Sequence, residues 1–264
     1  MNKRIKKVFE NEQKKLVTFV TGCDPDFDTS KKIIKTLSSA GSDIIEIGMP
    51  FSDPMADGPT IQISSKRAIE KGADLDKIFN ICSDFRSYNQ ETPLILMGYY
   101  NVIFHYGVKK FVETCEKNKV DGLIIVDLQP EEDSELINTI KSSDLDLIRL
   151  ITPTTDPNRL RTILQHSSGF LYYVTITGIT GQHSAKIQEL EESIKKIKTQ
   201  TNLPIVAGFG IKNEMHVKEV SKICDGVVVG SAIVKIIEEN LNNNDKSIEK
   251  IFQFVKKLKE GTKQ

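Results

Sequence analysis

Apolar and β-branched residues recur along the chain in short runs, with polar, helix-patterned stretches between them. The runs are Leu16–Val20, Ile44–Ile47, Leu94–Met97, Gly122–Val126, Leu147–Ile151, Phe170–Ile176, Pro204–Ala207 and Gly226–Val229. Most are apolar at both alternating positions. That is the signature of parallel strands covered on both faces, not of a sheet with one wet side. Their spacing, roughly 25 to 40 residues, matches repeated βα units.

The stretches between the runs read as helices. Asp28-Thr29-Ser30 can cap Lys31–Ser39, and Gly41 ends it. Pro59 sits where a first-turn proline would open Thr60–Lys71, and Gly72 closes that helix. Asp74–Tyr88 adds a second helix to the same connection. Val108–Lys119, Glu131–Ser142, Pro157–Gln165, Ile187–Lys198, Glu214–Lys222 and Ser231–Asn240 fill the later ones. The last helix, Ser247–Lys259, repeats Phe252, Val255 and Leu258 on one face and should pack. Asn242-Asn243-Asn244 reads as a polar turn, not a linker, so residues 1–264 are taken as one domain. Eight parallel strands with helical crossovers in 264 residues fit an α/β fold of the (β/α)8 TIM-barrel type, with additional helices. The alternative is an open doubly wound sheet. That fold usually carries a GxGxxG turn after its first strand, and the sequence has none there.

Charge and composition narrow the function. Lys+Arg and Asp+Glu both number 36, so the surface offers no basic footprint for nucleic acid or an anionic membrane. Cys23, Cys82, Cys115 and Cys224 are scattered, with no CxxC pair and no Cys/His cluster. Neither a zinc site nor a disulfide framework is expected, and isolated thiols suit a reducing compartment. Residues 1–15 are charged and lack the apolar core of a secretory signal. No apolar run reaches the ~18 residues of a membrane span. A soluble intracellular chain is expected.

In a TIM barrel the chemistry sits at the C-terminal ends of the strands, and phosphate commonly binds after strands 7 and 8. Gly208-Phe209-Gly210-Ile211 follows the seventh run, and Gly230-Ser231-Ala232 follows the eighth. Thr177-Gly178-Ile179-Thr180-Gly181 follows the sixth. Each glycine taken alone is explained by a tight turn. Three such loops on one rim form a cup of backbone donors suited to a phosphate ester.

Glu46 interrupts the second run. Alternation in Ile44-Ile45-Glu46-Ile47 places it on the face of Ile44 and Gly48. Facing into the barrel, it would be a buried carboxyl with a raised pKa, suited to giving and taking protons. The other reading is a structural acid paired with a basic residue. Asp57 lies in the loop that follows and could swing over the same mouth, or it could be a solvated loop acid. Asp53-Pro54 reads equally well as turn punctuation. Tyr99-Tyr100-Asn101 and Asp127 follow the third and fourth runs. Of Tyr172 and Tyr173, alternation points one inward and one outward. The four histidines, His105, His166, His183 and His216, show no triad or metal spacing. The residues alone therefore imply a barrel enzyme acting on a small phosphate ester by acid–base chemistry through Glu46.

EIGMPFSDPMADGPTIQ (46–62) resembles the signature of the tryptophan synthase alpha chain family. LMGYYNVIFHYG (96–107), YYVTITGITG (172–181), GFGI (208–211) and DGVVVGSAIVK (225–235) resemble the family's other motifs in order and spacing. The resemblance implies a TIM barrel that cleaves indole-3-glycerol phosphate to indole and glyceraldehyde 3-phosphate, a retro-aldol reaction in tryptophan biosynthesis. It implies Glu46 as the catalytic glutamate, Asp57 as the catalytic aspartate and Tyr172 as an active-site tyrosine. It also implies phosphate contacts at Gly181, Gly210, Gly230 and Ser231. No metal and no cofactor are implied for this chain. A pyridoxal-phosphate-dependent beta chain is the implied partner, in an αββα complex, with Asp53, Pro54 and Asn101 toward the interface. The implied location is the cytoplasm, or the stroma of a plastid. Gln129, Ile176 and His183 depart from residues common in the family, in loops tied to partner contact and motion. A stand-alone lyase releasing free indole, another phosphate-binding barrel such as an isomerase, and a non-catalytic partner barrel are the competing readings. Retention of both Glu46 and Asp57 speaks against the last.

Overall fold

The first apolar run becomes strand β1 (Lys15–Thr21), and the later runs follow in order. They are β2 (Ile44–Gly48), β3 (Leu94–Gly98), β4 (Gly122–Ile125), β5 (Asp146–Leu147), β6 (Arg149–Ile151), β7 (Leu171–Val174), β8 (Ile205–Gly208) and β9 (Gly226–Val229). The computed structural model describes residues 1–174, 183–208 and 210–263. All strand pairs among them are parallel, in the order β5-β4-β3-β2-β1-β9-β8-β7-β6. β5 and β6 are two halves of the single run expected over Leu147–Ile151. The first half pairs with β4 and the second with β7. Between them the Ile148 amide still donates to the Leu123 carbonyl, 2.9 Å away. One strand thus changes partners midway and closes the sheet into a barrel of eight staves.

Two apolar layers follow from strand alternation. The lumen is filled by Val17, Ile44, Ile95, Ile124, Ile148, Phe170, Val206 and Val228, nearly one per stave. The outward positions, such as Leu16, Ile45, Ile47, Leu96, Leu171 and Val227, pack under the helices. The helices are α1 (Lys3–Val8), α2 (Phe27–Ser39), α3 (Pro59–Glu70), α4 (Leu75–Tyr88), α5 (Tyr100–Tyr106), α6 (Val108–Lys117), α7 (Ser134–Ile140), α8 (Pro157–Gln165), α9 (His183–Lys198), α10 (Glu214–Ser221), α11 (Ser231–Glu238) and α12 (Asn244–Gly261).

Several boundaries differ from expectation for local reasons. The first crossover helix starts four residues early, because Asp26 caps it by accepting from Thr29 N–H at 2.9 Å. Glu131–Ser142 divides into a 3₁₀ turn (Pro130–Glu132) and α7. At the break Asp133 turns inward and pairs with buried Arg149 and with His166. Two helices were not anticipated. α5 begins immediately after β3, where the Asp127 carboxylate accepts from Tyr100 N–H at 2.8 Å. α1 belongs to the charged N-terminal segment. Its Ile5 enters the lumen cluster, and the Phe9 ring lies 5.9 Å from Phe170, so it stoppers the N-terminal end of the barrel. All four cysteines are buried and unpaired.

A buried ion network ties that stopper to the sheet. Asp121, fully buried, accepts from Arg86, from Arg4 of α1 at 2.7 Å and from Leu94 N–H at 2.7 Å. Removing one member of such a pair strands the other charge out of water. Asp121→Ala is therefore expected to cost about 3–5 kcal/mol, read as a lower urea midpoint. A midpoint within error of the parent would show that the network contributes nothing.

Candidate active site

Glu46 occupies the inner face of β2, between Ile44 below and Gly48 above. Its partners on the flanking strands are Phe19 and Ile95, both apolar. The carboxyl is fully buried, and neither oxygen has a hydrogen-bond partner among the described residues. Among the described residues nothing compensates its charge, so burial pushes its pKa up to about 8. Among the described residues no basic side chain pairs with Glu46, which is the partner a structural acid would need. Gly48 completes the setting: a Cβ there would stand 2.7 Å from the Phe19 ring, so only glycine lets that ring lie over the strand end. Phe19 lies two residues beyond lumen-facing Val17 on β1. The same alternation rule would have found it, but it was not singled out.

Tyr172 faces the lumen, and Tyr173 packs outward under the helices, as alternation required. Burial raises the Tyr172 pKa well above its usual value, and the charges of Glu46 and then Asp57 raise it further. The phenol therefore stays protonated and lies within electrostatic reach of both carboxyls. The ring fits because β8 ends in Gly208, where a Cβ would fall 2.8 Å from the Tyr172 hydroxyl.

Asp57 hangs over this mouth from the loop between β2 and α3. Gly58 and Pro59 start α3 without a side-chain cap, as Pro59 foretold. Half-buried, Asp57 has its pKa raised by burial, against which a hydrogen bond from Tyr99 acts to lower it. The solvated-acid reading of Asp57 does not describe this environment. A cavity of about 20 Å³ lies beneath, bounded by Phe19, Gly48, Asp57, Met97 and Tyr99 among others.

The loops after β8 and β9 take up the neighbouring arc of the rim. β8 and β9 are adjacent, with Gly208 in register with Val228. The loops beyond them bring Gly210 and Gly230 to one side of the mouth. Gly210 has φ +60°, a left-handed conformation that glycine adopts without strain. Gly230 opens α11 with no side-chain cap, and exposed Ser231 is its first residue. Uncapped first-turn N–H groups beside a free hydroxyl can receive an anion. Gly181 lies outside the described residues. Asp53 is exposed and Pro54 half-buried on the loop after β2, and Asn101 is exposed in the first turn of α5 after adjacent β3, away from the glycine arc. Among the described residues no His/Cys/Asp/Glu group is arranged to hold a metal ion, and no helix is long and apolar enough to cross a membrane.

The arrangement is one buried acid inside the barrel, one carboxyl above it, and glycine-bearing loops after β8 and β9 to the side. Comparison with known proteins covers nearly the whole chain. The sequence profile described as tryptophan synthase alpha chain matches residues 5–263. The structure of tryptophan synthase subunit alpha from Legionella pneumophila str. Paris superposes with a TM-score of 0.91 at 34% identity, covering 99% of this chain and 98% of that one. A structure from Aquifex aeolicus VF5 gives 0.89 at 35% identity, covering 99% of each. Mycobacterium tuberculosis tryptophan synthase gives 0.90 at 27% identity, covering 100% of each. The chain belongs to the tryptophan synthase alpha chain family, a carbon–carbon lyase that carries out the alpha reaction of tryptophan biosynthesis.

Proposed function

We propose that Glu46 and Asp57 together cleave indole-3-glycerol phosphate. The observation that carries this reading is a fully buried carboxyl with no hydrogen-bond partner among the described residues, where burial pushes its pKa up to about 8. Below that pH Glu46 is mostly the neutral acid, so it enters the reaction as a proton donor. It protonates indole C3, and the ring becomes a cationic indolenine. The Asp57 carboxylate accepts a hydrogen bond from the ring N–H, where the positive charge collects. Glu46, now ionised, takes the proton of the glycerol hydroxyl next to C3. The carbon–carbon bond breaks, its electron pair returns to the ring, and the former hydroxyl carbon becomes the aldehyde of glyceraldehyde 3-phosphate. One proton leaves Glu46 and one returns, so the enzyme is restored without a cofactor or metal. Tyr172 lines the pocket between the two acids. Gly181, Gly210, Gly230 and Ser231 hold the phosphate by backbone N–H groups and the serine hydroxyl.

We read residues 1–264 as one domain of an αββα complex, with pyridoxal phosphate confined to the beta chain. Asp53, Pro54 and Asn101 face that partner. A surface groove of about 380 Å³, lined by Pro50, Phe51, Asn101 and Val102 among others, supports this face as the one covered. The cytoplasm, or a plastid stroma, is the compartment that fits such an enzyme. The test is indole release from indole-3-glycerol phosphate with and without a beta chain. Turnover that rises when the partner is added is expected. Equal, fast turnover without it would point to a stand-alone lyase, and no turnover in either case would sink the reading.

A further inference from the structure

Tyr99 is bound to the loop that carries Asp57 in two ways. Its hydroxyl donates to Asp57 Oδ2 at 3.2 Å and accepts from Ala56 N–H at 2.9 Å. Its ring stands 5.1 Å from the Phe51 ring at the other end of the same loop. Phe51 is itself fixed to α3. Its N–H donates to Ser65 Oγ at 2.9 Å, and Ser65 Oγ donates back to its carbonyl at 3.1 Å. The span between these anchors is the exposed tip, where Met55 is 87% exposed. The tip is thus open to solvent, while both feet of the loop rest on buried side chains, Tyr99 and Ser65.

We propose that Tyr99 is a positioning residue for the alpha reaction, one whose hydroxyl aims Asp57 at the barrel mouth and keeps it in the ionised form that accepts from the indole N–H. The chemistry favours a tyrosine at this place. A phenol is donor and acceptor at once, so one oxygen serves both the carboxylate and the amide next to it. Burial, and next the Asp57 charge, hold the phenol well above its usual pKa, so it keeps the proton it donates. Donation to a carboxylate favours the charged form. Here it opposes the burial that raises the Asp57 pKa. Phenylalanine would keep the ring contact with Phe51 and lose both hydrogen bonds.

This inference rests on the reading of Asp57 as catalytic, and the experiment separates the two. Tyr99→Phe is assayed for indole release across pH, beside Asp57→Asn and Phe51→Leu. Tyr99→Phe is expected to lower kcat/KM about 10-fold at neutral pH, the worth of a hydrogen bond to a charged group. Its acid limb should move upward in pH, because Asp57 now ionises less readily. In a chain already carrying Asp57→Asn, adding Tyr99→Phe should change little. Phe51→Leu, which keeps the hydroxyl, should leave the acid limb where it was. Titration of the ¹³C-labelled Asp57 carboxyl in the folded chain reads the same shift without turnover. An unmoved acid limb and an unmoved Asp57 titration in Tyr99→Phe would overturn the inference, leaving Tyr99 a packing residue. A fully active Asp57→Asn would instead overturn the role of Asp57 itself.

Discussion

Replacing Glu46 with glutamine is expected to cut indole release by about 10³-fold while making the chain more stable at neutral pH. The loss follows from the proton cycle. An amide neither donates to C3 nor takes the hydroxyl proton, while its near-identical shape leaves the substrate's place intact, so binding should change little. The gain follows from linkage. The folded chain holds a proton on Glu46 up to about pH 8, whereas an ordinary glutamate releases it near 4.5. Between these values folding takes up a proton, so the parent's stability is full below about 4.5 and falls as pH rises toward 8. The gap from 4.5 to 7, at about 1.4 kcal/mol per pH unit, corresponds to about 3 kcal/mol. Glutamine has no such penalty. Urea unfolding should show Glu46→Gln ahead of the parent at pH 7, further ahead at pH 9, and level with it at pH 4. A variant that keeps near-normal kcat would contradict the catalytic role. A variant no more stable at pH 9 than at pH 4 would contradict the buried, unpaired state of the carboxyl. Opposite signs in activity and stability at one residue mark a group kept for chemistry at the expense of the fold.

The barrel was legible in the sequence because its strands are buried on both faces. That forces continuous apolar runs such as Gly226–Val229, which became a strand with no change of boundary. Glu46 was legible for the same reason, since a carboxyl breaks such a run and the two-residue period says which way it points. What escaped depends on contacts distant in the chain. The change of partner at Ile148 is a property of barrel closure, and nothing in Leu147–Ile151 announces it. The division at Asp133 arises because Arg149, sixteen residues on, draws that carboxylate inward. α1 is different, because its signal was present. Ile5, Val8 and Phe9 share one helical face, but the lysines between them give the segment the look of a solvated tail. The role of Tyr99 is not legible in the sequence because its partner, Asp57, comes within reach only when the loop folds back across the mouth.

Asp57→Asn is the second large effect expected, a loss of about 10²-fold or more, and its pH dependence distinguishes it from Glu46→Gln. Activity in the parent needs Glu46 protonated and Asp57 ionised. The plot of kcat/KM against pH should be a bell, with its alkaline limb near pH 8 from Glu46. Its acid limb should lie above the range of an ordinary aspartate, because burial raises the Asp57 pKa. Asparagine is neutral at every pH and stabilises the cationic ring poorly, so the whole curve drops. It also has no proton to lose, so the acid limb should vanish from the residual activity while the alkaline limb stays. The same experiment checks the order of proton transfer. If Glu46 began as a base rather than an acid, residual activity would rise through pH 8 instead of falling. An acid limb that survives in Asp57→Asn would assign it to another group and remove the carboxylate from its place over the indole N–H. With Asp57 in that place, the loop between β2 and α3 is required for catalysis, because it completes the site only when folded over the mouth. The alpha reaction then depends on whatever holds the loop down, including Tyr99 and Ser65 within the chain and the partner proposed to dock on Asp53 and Pro54 outside it.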